Sequence, residues 1–184
     1  MTASAALPLA FCAGLIRDIN DFPKPGIVFK YITPLLADGP CFRAVVERIA
    51  GFCEQQGWRP DVLACPEARG FILGAALAYR LGVGFVPIRK PDKLPHATTR
   101  VDYDLEYGTD AVEMHKDATQ PGQKVVLVDD VLATGGTIAA CARLVEENGA
   151  RVLGCVFLLE LLALQGRARL PAYPIYALWS LSQA

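Results

Sequence analysis

The chain has 184 residues, 53% of them hydrophobic, and a mean hydropathy of +0.30, enough apolar content for one enzyme-sized core and a single domain over residues 1–184. Its 18 basic and 19 acidic residues leave a formal charge of −1 and an isoelectric point near 6.1, which excludes a general attraction to nucleic acid or to an anionic membrane. No run of about 18 apolar residues occurs, so no transmembrane helix is predicted, and any bound anion must be held by local groups.

The opening stretch, MTASAALPLAFCAGLIRDI, is mildly apolar but lacks a basic leader, and Pro8 interrupts it, so it reads as a capping helix or a frayed tail. From Pro40 to Gln56, Phe42, Val45, Val46, Ile49 and Cys53 recur on one helical face, with Gly39 as N-cap and Gly57 as stop. A short strand is expected at Val62–Ala64, a helix at Gly70–Arg80 ending near Gly82, and a strand at Gly84–Ile88. Pro91–Arg100 has few core-forming residues and reads as a mobile lid, followed by a hairpin that pairs Tyr103–Tyr107 with Ala111–His115 around Gly108. Val125–Val128 forms a buried strand that stops at Asp129. Behind it come a helix with Ile138, Cys141, Ala142 and Val145 on one face, a stop at Gly149, and the apolar run Val152–Leu159. Such alternation predicts a parallel sheet covered by helices on both sides, with ligands beyond the carboxyl ends of its strands. The six cysteines show no C-x-x-C and fall mostly at core positions, as expected of reduced thiols in a cytoplasmic protein.

The run Val125–Thr137, VVLVDDVLATGGT, carries the most chemical information. Ala133, Thr134, Gly135, Gly136 and Thr137 have little side-chain bulk, so successive backbone N–H groups can converge on a phosphate at the start of the next helix. Asp129 and Asp130, directly upstream, can accept hydrogen bonds from vicinal ribose hydroxyls. The run contains neither the G-x-x-x-x-G-K-[ST] loop nor G-x-G-x-x-G, which disfavours an ordinary NTPase or a dinucleotide enzyme. A plain strand end with Thr134 or Thr137 as helix N-cap is the alternative. Two further segments end predicted strands. CPEARGF places Glu67, Ala68, Arg69 and Gly70 where a guanidinium and backbone can meet an anion or simply form a capping turn, and IRKPDKLP clusters Arg89, Lys90 and Lys93. His96 and His115 lack metal-ligand spacing, and Trp58 and Trp179 read as packing or subunit-contact residues.

From about Ile16 to Leu178 the chain resembles the type I phosphoribosyltransferases, and within them the adenine branch. That resemblance implies a central, mostly parallel sheet flanked by helices, with a flexible hairpin lid and an N-terminal hood segment. It implies transfer of a phosphoribosyl group from 5-phosphoribosyl-1-pyrophosphate (PRPP) to adenine, giving AMP and pyrophosphate, with Mg²⁺ and in a homodimer. On the matching positions, Ala133–Thr137 hold the 5′-phosphate and Asp129 and Asp130 the ribose. Glu67, Ala68, Arg69, Arg89 and Lys93 take the pyrophosphate, and Asp129 or Asp130 joins Mg²⁺ directly or through water. DYDLEYG matches the family segment that carries a catalytic glutamate, here Glu106, with Tyr107 beside it in the lid. DFPKPGIVFKYITPLL matches the purine-pocket segment, where main-chain groups of Val28 and Lys30 read the base and Phe29 lies near the ring. Many relatives read F-R-D-I where this chain has Phe29, Lys30, Tyr31 and Ile32. If the replaced Arg and Asp only pair with each other the change is neutral; if the Asp orients a base contact, adenine selectivity changes. A sensor that binds sugar phosphate without catalysis, and an enzyme for another purine, are the alternatives.

Overall fold

The computed structural model describes residues 8–104 and 109–182. Its elements, in order, are α1 (Leu9–Ala13), β1 (Arg17–Asn20), β2 (Val28–Tyr31), α2 (Thr33–Ala37), α3 (Gly39–Gln55), β3 (Val62–Pro66), α4 (Arg69–Leu81), β4 (Gly84–Ile88), β5 (Thr98–Asp104), β6 (Thr109–His115), β7 (Lys124–Leu132), α5 (Gly136–Glu147), β8 (Arg151–Leu161) and β9 (Ile175–Leu181). Five parallel strands form the central sheet in the order β4-β3-β7-β8-β9. The chain runs outward from β3 to β4 on one side and from β7 through β8 to β9 on the other. The β3/β7 junction is therefore the topological switch point, where open α/β sheets bind ligands.

The β-branched run of β7 explains its central place, since Val125, Val126, Leu127 and Val128 are all fully buried. Alternate side chains enter opposite layers. Val125 and Leu127 pack with Ile138, Cys141 and Val145 of α5, while Val126 and Val128 pack with Val45, Ile49 and Leu77 of α3 and α4. Trp58 stands edge-on to Phe52 at 5.6 Å, and it and Trp179 pack against the α3 layer. All six cysteines are buried and unpaired as disulfides. Among the described residues, no helix is long and apolar enough to cross a membrane.

Several boundaries differ from the sequence expectation. Asp38, not Gly39, caps α3 by accepting a hydrogen bond from the Cys41 amide at 2.9 Å, and Gly39 is already helical. β3 continues to Pro66 and α4 starts at Arg69. β7 does not stop at Val128 but runs through both aspartates to Leu132, because the apolar run of β8 extends to Leu161 and keeps pairing it, Asp129 with Phe157 and Val131 with Leu159. β3 pairs with β7 only as far as Ala64 with Leu127, so a notch opens beside the aspartates.

The hairpin starts earlier than expected. Ala111–His115 pairs with residues 98–102 rather than with Tyr103–Tyr107, and Thr98–Arg100 belong to β5 instead of a lid. Burial sets that register: Val101 and Val112, directly opposite, are both 2% exposed, and Thr99 Oγ1 bonds Asn148 Oδ1 at 2.5 Å beyond α5. β1 and β2 form a separate antiparallel ribbon over the carboxyl end of the sheet, matching the expected N-terminal hood.

Replacing Asp38 by Ala is expected to cost about 1 kcal/mol, read as a lower urea midpoint, because it strips the α3 cap; Asp38→Asn should retain most of it.

Candidate active site

The carboxyl ends of β3, β4 and β7 and the β2 ribbon enclose a cavity of about 490 Å³. Val28, Phe29, Lys30, Glu67, Ala68, Arg69, Lys90, Asp129, Asp130, Ala133 and Thr137 line it, with Ile27, Val131, Leu161 and Leu164 supplying apolar wall. A narrower pocket of about 70 Å³ adjoins it, walled by Asp129, Phe157 and the loop Val131–Ile138, which includes Thr134, Gly135 and Gly136. Residues distant in sequence thus meet at the switch point.

The loop is built from backbone. Gly135 is the N-cap of α5 at φ +81, and no side chain caps the helix, so neither Thr134 nor Thr137 plays the capping role. No acidic residue lies in the first turn of this 12-residue helix, so its positive end faces the pocket without a counter-charge on the helix itself.

Burying two adjacent carboxylates requires compensation. Asp130 is 3% exposed and accepts a charge-assisted hydrogen bond from Arg69 Nε. Asp129 Oδ1 accepts from the Asp130 amide at 2.8 Å. Desolvation, and then the neighbouring Asp130 charge, nevertheless push the Asp129 carboxyl well above its usual range. Gly70 explains the Arg-Gly pair, because a Cβ there would lie 3.0 Å from Asp129 Oδ1 and 3.1 Å from the Val128 oxygen. Arg69 also stacks its guanidinium over the Phe29 ring, 5.0 Å from the centroid, which joins the hood to the aspartates.

On the β4 side, Arg89 Nε donates to Glu67 Oε2 at 2.5 Å, which places Arg89 behind the cavity wall, bound to a residue that lines it. The Lys93 side chain is exposed and does not line the cavity; its carbonyl accepts from Arg89 at 3.3 Å. Lys90 does line it. Its Nζ donates to Asp110 Oδ2 and, at 3.0 Å, to the Tyr103 hydroxyl, which also lies 3.1 Å from Asp110 Oδ2 and 3.3 Å from Thr137 Oγ1. Within the basic cluster, sequence reasoning had no means of preferring Lys90 to its neighbours, because its selection depends on the hairpin register that brings Tyr103 and Asp110 to it. Glu106 and Tyr107 lie outside the described residues.

In the hood, Lys30 is 8% exposed and pairs through Nζ with Asp18 Oδ1 at 2.9 Å, its direct register partner on β1. The lysine that replaces the relatives' arginine therefore has its own counter-ion. Tyr31 stands opposite Arg17, 37% exposed, and nothing in the structure explains the change there.

A parallel sheet whose switch point carries twin aspartates, a glycine-threonine loop and a hooded apolar pocket defines a phosphoribosyltransferase of type I. The family model described as the phosphoribosyl transferase domain matches residues 35–175. The chain is 56% identical over 164 residues to an adenine phosphoribosyltransferase of Dichelobacter nodosus, covering 89% of this chain and 94% of that one. The crystal structure of the enzyme of that name from Thermoanaerobacter pseudethanolicus superimposes with a TM-score of 0.92 at 54% identity, over 94% of this chain and 99% of the other. The Saccharomyces cerevisiae enzyme, solved with adenine and an imino-altritol bisphosphate, gives 0.89 at 35% identity over 92% and 97%. The chain belongs to the adenine phosphoribosyltransferase family.

Burial alone would raise the Asp110 carboxyl, but hydrogen bonds from Lys90, the Ala111 amide and Tyr103 hold it below its ordinary value. A depressed carboxylate stabilises the fold above its unfolded pKa of about 3.9 and loses that contribution as pH falls through the folded value. Asp110→Asn should therefore destabilise the protein at pH 7 by about 0.5–1 kcal/mol, the scale for a partly exposed pair, with the difference from wild type shrinking in urea melts as the pH falls below the unfolded value.

Proposed function

We propose that this chain, working as one domain, transfers the phosphoribosyl group of PRPP to adenine and releases AMP and pyrophosphate. The observation that carries this reading is the convergence of the aspartate pair, Arg69 and the Phe29 wall in one cavity, with the phosphate-type loop walling the pocket that adjoins it. Relatives named for the same activity, at 56% identity across nearly the whole chain, support it. So does the yeast enzyme, which binds adenine together with a bisphosphate.

In this reading the backbone of Ala133–Thr137 holds the 5′-phosphate, and Asp129 and Asp130 accept from the ribose hydroxyls. Sugar hydroxyls that donate to Asp129 offset the desolvation that raises its carboxyl. Glu67, Ala68, Arg69, Arg89 and Lys93 surround the pyrophosphate. Lys93 must swing inward from its exposed position to do so. Adenine is read by main-chain groups of Val28 and Lys30 against the Phe29 ring. As the C1–pyrophosphate bond breaks, positive charge develops on the ribosyl carbon and ring oxygen and negative charge on the leaving group. The carboxylates face the first and the cations the second, and such preorganised charges act more strongly once water is excluded. Glu106 exchanges a proton at N7 of the base as N9 attacks, with Tyr107 closing the lid beside it.

The donor set fits Mg²⁺. Among the described residues no group of three or more His, Cys, Asp or Glu is arranged to hold a metal, whereas one or two carboxylates beside substrate oxygens is how Mg²⁺ is usually bound. Substrate phosphates and ribose hydroxyls would supply most of its shell, with Asp129 or Asp130 joining directly or through water, and when bound it supplies neutralisation of the pyrophosphate charge. Six buried, unbridged cysteines suit the reducing cytoplasm. The outward face of α4, with Ile72 44% and Tyr79 91% exposed, offers an apolar surface for the homodimer.

Purified protein with PRPP and Mg²⁺ should convert labelled adenine, but not hypoxanthine or guanine, to its nucleotide, and excess EDTA should stop the reaction. Binding of PRPP without turnover on any base would make the chain a sensor instead. Glu106→Gln should lower kcat at least about tenfold if the proton exchange contributes on its usual scale; wild-type kinetics would take Glu106 out of the mechanism.

A further inference from the structure

Next to the Ala133–Thr137 loop lies the segment that follows β8; Leu161, the last residue of that strand, and Leu164 reach the cavity wall. After β8 the chain makes two short 3₁₀ turns, Leu162–Leu164 and Gly166–Arg169, joined by Gln165 in the left-handed region at φ +50, a conformation that non-glycine residues adopt only when their surroundings impose it. Gly166 presses directly on the loop. A Cβ on Gly135 would collide with the Gly166 carbonyl oxygen, and a Cβ on Gly166 would collide with the Ala133 carbonyl oxygen and lie 2.8 Å from Leu132 Cδ1. Two backbones therefore meet there with no room for a side chain on either.

What fixes Gly166 is its neighbour. Arg167 grips Glu160 with both arms of its guanidinium, Nε to Oε1 at 2.6 Å and the second arm to Oε2 at 2.8 Å, and its remaining nitrogen donates to the Ile175 carbonyl at 3.3 Å. The Glu160 side chain is 4% exposed, and Ser180 adds a hydrogen bond to Oε2 at 3.2 Å. The Arg167 contact first, with Ser180 assisting against burial, holds this carboxyl below its ordinary value, so it is charged at neutral pH. Glu160 is also the β8 register partner of Leu132, the last strand residue before the loop. The anchor thus stands one strand away from the element it supports.

We propose that the Glu160–Arg167 fork, acting through Gly166, is a positioning device for the phosphate loop and sets the affinity for phosphorylated ligand without contributing to recognition of the base. This rests on the reading that Ala133–Thr137 hold the 5′-phosphate. None of Glu160, Gly166 and Arg167 lines the main cavity, and Gly166 touches the loop backbone directly, at Ala133 and Gly135, so the loop is the element they bear on.

The test measures both substrates' KM, kcat, and ribose 5-phosphate binding by calorimetry for wild type, Arg167→Gln and Gly166→Ala, with thermal melts to establish folding. The expected result is a rise of about tenfold or more in KM for PRPP and a matching loss of ribose 5-phosphate affinity. KM for adenine should stay within about twofold and kcat within about threefold. Arg167→Lys, which keeps the charge but loses the fork, replaces Arg167→Gln should the latter not fold, and the same split is expected of it. A KM for PRPP unchanged within twofold in a folded variant, or parallel losses for both substrates, overturns the proposal. Absence of ribose 5-phosphate binding by the wild-type protein would overturn the phosphate reading itself, a different failure from wild-type binding that the variants leave intact.

Discussion

The rest of the structure depends on two carboxylates set within the central strand, directly after the four fully buried residues Val125–Val128. Burying charge in such a place is costly unless each oxygen finds a donor. Around Asp129 and Asp130 the donors come from different parts of the chain: Arg69 from the start of α4, and the Asp130 amide from the strand itself. Gly70 has no side chain because Asp129 needs the space. Arg69 in turn lies over Phe29, so the same guanidinium that answers the aspartates also ties down the hood. Carboxylates, an apolar aromatic wall and a loop of backbone amides thus meet in this cavity and the pocket that adjoins it.

The site is held by two polar frames on opposite sides of the phosphate loop. On one side the Tyr103 hydroxyl joins Lys90 and Asp110 and reaches Thr137 in the first turn of α5. On the other, the fork between the buried Glu160 and the half-exposed Arg167 sets Gly166 against Gly135. The Lys90–Asp110 pair is partly exposed and therefore screened, and the attraction in the Glu160–Arg167 pair is offset by the desolvation of Glu160, so neither frame is a large net source of stability. Their contribution is geometric. A loop made of backbone amides has no side chains with which to hold its own shape, so its precision is borrowed from rigid neighbours.

Asp129 shows the tension between stability and function in this site. Its carboxyl is pushed up because the protein supplies too little compensation for its charge. In the proposed function, hydroxyls that donate to Asp129 would offset that shortfall, so that binding would improve the local balance.

The alternation of helical and strand periods in the sequence was enough to determine the parallel sheet and the helices around it, because those signals are local and repeat with the period of the element that forms. The anion-friendly composition of Ala133–Thr137 and the acids before it can be read locally too, whereas the hood was implied only by the family resemblance. What the sequence could not determine was every feature that depends on a second strand. The passage of β7 through both aspartates follows from pairing with β8, and the hairpin register follows from burial of Val101 against Val112. The choice of Lys90 within a run of three cations follows from where Tyr103 and Asp110 arrive, and the partner of Lys30 is known only once β1 lies beside β2. Local chemistry names the groups a site needs, but the direction in which a side chain points and the backbone that presses on it come from segments tens of residues away, and only packing brings those together.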